Sequence, residues 1–303
     1  MTEYLHAAIL GIVQGVAEFL PVSSSGHLVI VGELLDQYGG TEIPAESATM
    51  SIALHFGTLL SILFVYRREL PGIVKDIKLL KLILLATIPV GAIGILLKDQ
   101  IEEVFDTPLL AGGGLIVTAV LLLIGRRLQR RQQHPAELNS LTAGMIGVFQ
   151  AIAIIPGISR SGSTIAAGLA CGLTREQAAR FSFLIAIPAI SGAAIVKAKD
   201  LVTRAAAVDS NLLPVALGTF IAFVVGIAAL SWLLTIVTAD RLHWFAGYCL
   251  LAGSATIMWQ LSTTSSAADV TVTQVQTVQS VAASQAGSTA ELNGSCSDWI
   301  SAN

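Results

Sequence analysis

Six uninterrupted apolar stretches of this sequence are each about as long as the hydrocarbon core of a lipid bilayer is thick. A membrane-crossing helix takes about 17–25 predominantly apolar residues, and the stretches lie near 50–66, 82–97, 108–125, 181–196, 212–238 and 242–262. Charged residues make up only 12% of the chain, about half the share usual in soluble domains. A soluble globular protein, a nucleic-acid-binding protein with a basic face and a disordered chain are all excluded by this composition. The sequence therefore predicts an all-α polytopic membrane protein with six transmembrane helices.

Two further apolar regions, 4–36 and 140–172, are each interrupted in the middle by a proline and small polar residues. Each half of such a region is too short to cross a bilayer comfortably by itself. We therefore predict two re-entrant helical hairpins, which enter the membrane and return to the side from which they came.

Basic residues set the expected orientation, because loops rich in lysine and arginine remain in the cytoplasm. The loops 67–81 and 126–139 carry five and four basic residues, whereas the loop 98–107 carries one basic residue against four acidic ones. Following the six spans from these loops predicts that both termini lie outside the cytoplasm. Arg160 is the one basic residue that falls in the middle of a broken hairpin, and an intramembrane arginine is a functional hypothesis by default.

The two broken hairpins align with each other at an offset of 136 residues, with six identities in nineteen positions and a Ser-x-Ser-Gly in the same register. Three predicted spans separate them, so the halves, about 4–125 and 140–262, are predicted to be inverted repeats. Such repeats place a polar site near the middle of the membrane, where their discontinuous helices meet. Residues 1–262 form the predicted membrane domain, and 263–303 are predicted to be a polar, disordered tail.

Each break combines a proline, Pro21 or Pro156, with serines that are good helix N-caps. The helix that starts after each break presents free N–H groups and the positive end of its dipole. Two such ends meeting from opposite halves would form an anion pocket, to which Arg160 adds a planar donor suited to phosphate oxygens. Close packing of membrane helices is the alternative interpretation of the serines. The predicted substrate-binding residues are Gln14, Ser23, Ser25, Gly26, Ser159, Ser161 and Gly162.

The first break adds three groups, Glu18, Ser24 and His27, that the second break lacks at the equivalent positions. Glu18 follows Gln14 by four residues and His27 follows Ser24 by three, so each pair shares a helix face. A hydroxyl nucleophile, a histidine or carboxylate base and a cationic clamp form the minimum set for phosphoryl transfer. Taken alone, Glu18 could be a structural partner of Arg160, and His27 a hydrogen-bonded interior histidine. The conjunction at the two breaks predicts four catalytic residues: Glu18, Ser24, His27 and Arg160.

The segment from Gln14 to His27 and the segment from Pro156 to Gly162 resemble the two signature motifs of the undecaprenyl-diphosphatase family, the BacA/UppP bacitracin resistance proteins. The similarity covers about residues 4–262. It implies an integral membrane hydrolase that converts undecaprenyl diphosphate to undecaprenyl phosphate and inorganic phosphate. Such an enzyme of the bacterial inner (plasma) membrane recycles the lipid carrier for peptidoglycan synthesis, and so for cell-wall biogenesis and cell shape. It also confers resistance to the antibiotic bacitracin.

The resemblance implies a role for each matching residue. Glu18 and Gln14 match an acidic motif implicated in catalysis or in holding a divalent cation, Mg²⁺ or Ca²⁺. Ser24 matches the proposed nucleophile or diphosphate ligand, His27 the proposed acid or base, and Arg160 the diphosphate clamp. Many members have glutamate at the position of Gln14. Because an amide is a weaker, neutral ligand for a hard cation, a metal site with two carboxylates is not expected here, and Glu18 is the ligand only if a cation binds; whether one is required is left open by the sequence.

The expected partners are a polyprenyl diphosphate lipid and the bilayer, not nucleic acid, and a homodimer is a candidate assembly. The rival hypothesis is an inverted-repeat transporter or flippase of an anionic lipid, because secondary transporters are commonly built from inverted repeats with broken helices. Turnover in detergent without a gradient distinguishes a hydrolase from a transporter. His55, in the span 50–66, is a further polar residue whose direction the sequence leaves open.

Overall fold

The computed structural model describes residues 2–39, 48–97, 107–132, 134–203 and 212–263, and within these ranges the regular structure is helical with no strand. The helices are α1 (Thr2–Ala17), α2 (Ser24–Gly39), α3 (Ala48–Val65), α4 (Leu70–Lys75), α5 (Ile77–Leu96), α6 (Pro108–Gln129), α7 (Ser140–Ile152), α8 (Arg160–Ala170), α9 (Arg175–Thr203), α10 (Leu212–Thr238) and α11 (242–257). The chain divides into two compact units, Met1–Ile257 and Met258–Asn303. The described residues of the second unit, 258–263, are helical. The tail predicted at 263–303 lies outside the described residues except for Thr263.

Four of the described helices are long and apolar enough to cross a membrane: Ile77–Leu96, Pro108–Gln129, Arg175–Lys199 and Leu212–Thr238. They contain the predicted stretches 82–97, 108–125, 181–196 and 212–238, with a difference of one residue at Leu97. The predicted stretch at 50–66 coincides with a shorter apolar helix, Thr49–Val65. The chain is accordingly an all-helical, multi-pass membrane protein.

Both predicted breaks are present, and each has a local cause. Pro21 lies in the turn between α1 and α2, and Pro156 lies in the turn between α7 and α8. The backbone enters the left-handed region at Ser23, with φ of 69°, and at Gly157, with φ of 84°. In each half a serine then caps the next helix, since the Ser23 hydroxyl oxygen accepts the N–H of Gly26 at 3.3 Å and that of Ser159 accepts the N–H of Gly162 at 3.0 Å.

Each half of the first unit packs its broken hairpin against the other half. Helix α1 packs mainly on α10, and the equivalent helix of the second half, α7, packs mainly on α5. The aligned glycines Gly11 and Gly147 lie at these two contacts. A methyl group on Gly11 would lie 2.6 Å from the carbonyl oxygen of Gly218, and one on Gly147 would lie 2.6 Å from that of Ala86. The sequence repeat therefore corresponds to a repeated helix contact.

Two buried aromatic rings pack together at the turn between α1 and α2. Phe19 is fully buried and meets Phe183 of α9 edge to face, with ring centroids 6.0 Å apart. A methyl group on Gly226 of α10 would lie 2.9 Å from the Phe19 ring, so the ring fills the space between α9 and α10. This packing fixes the residues that follow α1, including the neighbouring Glu18.

Three arginines converge on one carboxylate at the end of α10. Asp240, in the turn after α10, lies 3.0 Å from Arg126 Nε and 3.0 Å from Arg175 Nη2, and it also binds Arg130. The hydrogen bond from Arg126, reinforced by Arg130 and the charge of Arg175, lowers the pKa of Asp240 to about 2. The cluster ties the end of α6 and the start of α9 to the turn between α10 and α11.

Candidate active site

The tips of the two broken hairpins lie against each other. A methyl group on Gly26 would lie 2.9 Å from the Cα atom of Gly157, so the backbones are in direct contact there. The Ser161 hydroxyl, at the start of α8, donates to the carbonyl oxygen of Leu20 in the first tip at 3.1 Å. Thr118 of α6 steadies the second tip, since its hydroxyl oxygen accepts the N–H of Ser159 at 2.8 Å. The meeting of the two breaks is therefore as predicted.

Glu18 occupies the centre of this junction. Its side chain is 6% exposed, and its Oε1 accepts a hydrogen bond from Arg160 Nη2 at 2.6 Å. Its Oε2 accepts from the Ser24 hydroxyl at 2.7 Å and from Gln14 Nε2 at 3.0 Å. One carboxylate thus joins the first tip to the only arginine of the second hairpin. Four of the residues singled out in the sequence form one connected group.

The geometry follows from where each residue stands on its helix. Gln14 and Glu18 are one helical turn apart, so their side chains lie on the same side of α1 and meet. Ser24 is the first residue of α2, and it lies where the chain has already reversed beyond Pro21. Its hydroxyl therefore points back at Glu18. A hydroxyl hydrogen-bonded to an adjacent carboxylate is the arrangement in which a general base activates a nucleophile.

Arg160 is held by more than its ion pair. Its Nη1 donates to the backbone carbonyl oxygen of Ser182 at 3.4 Å, and the Ser182 hydroxyl lies 2.6 Å from that of Thr164. Thr164 also donates to the carbonyl oxygen of Arg160 at 2.7 Å. A guanidinium has five N–H donors in a rigid fork, and two contacts, to Glu18 and Ser182, fix its plane. Sequence reasoning missed Ser182, because no motif connects it with the second break.

His27 is oriented by one bond on each ring nitrogen. Its Nδ1 lies 2.8 Å from the carbonyl oxygen of Ser23 and its Nε2 lies 2.7 Å from the hydroxyl oxygen of Tyr248 on α11. Because a carbonyl oxygen only accepts, Nδ1 carries the proton in the neutral ring and Nε2 accepts from the tyrosine. The two rings are stacked, with centroids 5.6 Å apart. Tyr248 was missed as well, since it is 221 residues from His27.

The predicted substrate-binding serines fall into two groups. Ser159 and Ser161 are each 1% exposed, and their hydroxyl oxygens lie 3.2 Å apart, with Ser159 capping α8. Ser23 is buried as well, whereas Ser24 and Ser25 are half-buried on the first tip. The buried serines hold the backbone of the tips in place. Contact with substrate through Ser25 and the tip backbones remains a prediction.

His55 of α3 faces the same carboxylate, which answers the question that the sequence left open. Its Nε2 lies 3.9 Å from Glu18 Oε2, and its Nδ1 lies 2.8 Å from the carbonyl oxygen of Ser51 one turn earlier. Its side chain is 30% exposed, against 6% for Glu18. The site therefore has a second histidine, on the more accessible side of the carboxylate.

The groups around Glu18 do not fit a cation site built from the protein. Both carboxylate oxygens already accept hydrogen bonds, and one of the donors is the positively charged Arg160. Mg²⁺ and Ca²⁺ require several oxygen ligands, and the described residues contain no group of three histidine, cysteine, aspartate or glutamate side chains that could hold a metal. The predicted ligand Glu18 is thus committed to Arg160, Ser24 and Gln14.

The fold and the site define a membrane-embedded helical protein in which two helix breaks from opposite halves share one buried glutamate–arginine pair. A family model described as "Bacitracin resistance protein BacA" matches residues 7–255. A protein of Rhodopirellula baltica named undecaprenyl-diphosphatase is 45% identical over 262 residues, covering 86% of this chain and all of that protein. Another of the same name, from Desulfosudis oleivorans, is 42% identical over 84% of this chain and 98% of its own length. The chain belongs to the BacA family.

Proposed function

We propose that this chain is an undecaprenyl-diphosphate phosphatase, which releases inorganic phosphate from undecaprenyl diphosphate and returns undecaprenyl phosphate. Relatives that match almost from end to end carry that name. The observation in the structure that carries the proposal is the Glu18 carboxylate, which receives the Ser24 hydroxyl and the Arg160 guanidinium on its two oxygens. A transporter or flippase is not favoured, because a transport site has no need of a hydroxyl aligned with a base.

The first step forms a bond from the Ser24 oxygen to the terminal phosphorus. As it forms, the Ser24 proton passes to Glu18 Oε2, which lies 2.7 Å from that oxygen. The bond between the terminal phosphorus and the bridging oxygen breaks, and undecaprenyl phosphate leaves with the electron pair. Arg160 and the N-terminal ends of α2 and α8 offset the negative charge on the phosphate oxygens, which is the main requirement of phosphoryl transfer.

The second step restores the serine. The proton that Glu18 took from Ser24 first leaves to solvent, so that the carboxylate is ionised again. A water molecule then attacks the phosphorus of the phosphoserine and gives a proton to Glu18, and the Ser24 oxygen leaves and recovers that proton from the same carboxyl group. Inorganic phosphate is then released. His27 lies on the first turn of α2, and we assign it the role of orienting the diphosphate. No step above uses a divalent cation.

The membrane arrangement proposed for this site has six transmembrane helices and two re-entrant hairpins. The four long helices, α3 and the helix that starts at residue 242 would be the spans, and the pairs α1–α2 and α7–α8 would be the hairpins. We place the chain in the inner membrane. The charge distribution of the loops favours an orientation in which both termini lie outside the cytoplasm. The isoprenoid chain would then lie in the lipid between spans while the diphosphate occupies the junction of the tips. A homodimer is the assembly we propose to test by sizing in detergent.

The test is phosphate release from undecaprenyl diphosphate by the full chain, purified in detergent and assayed without any gradient. Ser24→Ala and Arg160→Ala should each lower turnover by about 10²-fold or more, because they remove the nucleophile and the charge clamp. Ser140→Ala and Arg180→Ala are matched controls at exposed sites of the same residue types and should retain turnover. A parallel series with and without chelator tests whether turnover requires a divalent cation. Absence of phosphate release by the folded parent chain would refute the hydrolase.

A further inference from the structure

The mechanism leaves one question about the proton that Glu18 accepts. Whichever oxygen attacks phosphorus, serine or water, its proton arrives on a carboxylate whose side chain is only 6% exposed. Each catalytic cycle requires that carboxylate to be ionised again. Glu18 is surrounded by hydrogen-bond donors, since Arg160, Ser24 and Gln14 all point N–H or O–H groups at it. Of these, none has a lone pair of sufficient basicity to take a proton from a carboxylic acid.

His55 is the group that can take it. Its Nδ1 lies 2.8 Å from the carbonyl oxygen of Ser51, which only accepts, so in the neutral ring the proton is on Nδ1 and the lone pair is on Nε2. That Nε2 lies 3.9 Å from Glu18 Oε2. The same Oε2 receives the Ser24 hydroxyl. The serine oxygen, the carboxylate oxygen and the imidazole lone pair therefore form a sequence along which one proton can move.

We propose that His55 accepts the proton from Glu18 Oε2 on its Nε2 and passes it to solvent, so that Glu18 is ionised again before the next attack. The 3.9 Å separation is within reach through one water molecule or a small closure of the site. The His55 side chain faces the buried carboxylate and is itself 30% exposed. The proposal rests on the proposed function, and it extends that function by naming the path by which the proton leaves.

Charged groups lie around His55 on three of the neighbouring helices. Helix α1 contributes Glu18, α8 contributes Arg160 through Glu18, and α9 contributes Lys197, whose Nζ lies 3.3 Å from the Ser51 hydroxyl one turn from His55. Helix α10, which also packs on α3, has no charged residue between Leu212 and Thr238. The carboxylate of Glu18 is the charged group that directly faces the His55 imidazole.

The experiment replaces His55 in the full chain and measures turnover and KM for undecaprenyl diphosphate in detergent. His55→Ala should lower kcat about 10²-fold, the range typical of a lost proton acceptor, with KM changed less than about threefold. Added imidazole should restore a large part of kcat in His55→Ala and none in Ser24→Ala. His55→Lys keeps a positive charge but has no lone pair at neutral pH, so its kcat should remain low. His134→Ala, at an exposed loop position, should match the parent.

Each outcome decides between distinct possibilities. A parent chain that releases no phosphate refutes the proposed function itself. An active parent combined with full kcat in His55→Ala, or with full kcat in His55→Lys, overturns the proton path alone. A low kcat in His55→Ala that imidazole does not raise also overturns it, because a purely structural defect would behave in that way. Should His55→Ala fail to fold, His55→Gln keeps a similar volume, and the proposal requires its kcat to be low in a chain of unchanged stability.

Discussion

The pair Glu18–Arg160 is expected to dominate the stability of the junction between the hairpin tips. The two side chains are 6% and 16% exposed and meet at 2.6 Å. Removing one partner of a buried ion pair leaves a charge without compensation, which costs about 3–5 kcal/mol. Because Arg160 retains some contact with the outside and a bond to the Ser182 carbonyl, we place each single substitution, Glu18→Gln or Arg160→Met, near the low end, at about 3 kcal/mol.

The double variant tests whether that cost comes from the pair. With both charges removed there is no orphaned ion, so the double variant should lose about 4 kcal/mol rather than the sum of the two single losses. This corresponds to a coupling of about 2 kcal/mol, inside the range found for directly interacting residues. The measurement is reversible unfolding of the purified chain by SDS in mixed micelles, followed by the fluorescence of its tryptophans.

The chain provides its own control for this double-mutant cycle. Arg180 and Glu69 form the same kind of ion pair at 2.9 Å, but their side chains are 47% and 49% exposed. Exposed pairs contribute little, and we expect a coupling below about 0.5 kcal/mol there. If the two cycles gave equal couplings, or if the losses from Glu18→Gln and Arg160→Met were simply additive, burial would not be what makes the central pair strong, and the reasoning would fail.

Two further predictions concern positions outside the catalytic group. Gly157→Ala should prevent correct folding, because its φ of 84° disfavours any side chain and the new methyl would lie 2.0 Å from the carbonyl oxygen of Ala111. Gly144→Ala is the control, since its methyl would meet nothing within 4 Å, and it should unfold like the parent. Equal behaviour of the two variants in the SDS assay would contradict the packing described. Asp240 has a pKa lowered to about 2 from 3.8 by Arg126 and its neighbours, so its contribution to stability is complete above about pH 4 and is lost as pH falls towards 2. Unfolding followed between pH 5 and 2 should therefore have a shallower pH dependence in Asp240→Asn than in the parent, and an unchanged dependence would show that the ion cluster is not the cause.

The sequence was informative wherever a local rule links neighbouring residues. Proline and serine predicted both breaks, and the spacing of four predicted that Gln14 meets Glu18, because helical geometry leaves little choice at that distance. The sequence did not predict contacts in which the partner residue comes from a distant helix. Tyr248 is 221 residues from His27, and Ser182 belongs to a helix with no motif of its own. A single polar side chain on an apolar helix has no direction until the packing of that helix is known, which is why His55 could be placed only in the structure.

The divergence of the two halves explains why the junction of the two tips is asymmetric, although the fold is repeated. A symmetric pair of tips would place two like residues at the junction, either two carboxylates or two guanidinium groups, and like charges in a buried place repel. The first half has Glu18 and Ser24 where the second has Ile154 and Arg160, so these two positions bring together one acid, one cation and the Ser24 hydroxyl. The glutamines show the consequence: Gln14 donates to Glu18, whereas the equivalent Gln150, with Ile154 beside it, donates to the Ala86 carbonyl oxygen instead. The repeated fold brings the two tips together, and the sequence differences between the halves place the acid, the hydroxyl and the guanidinium side by side.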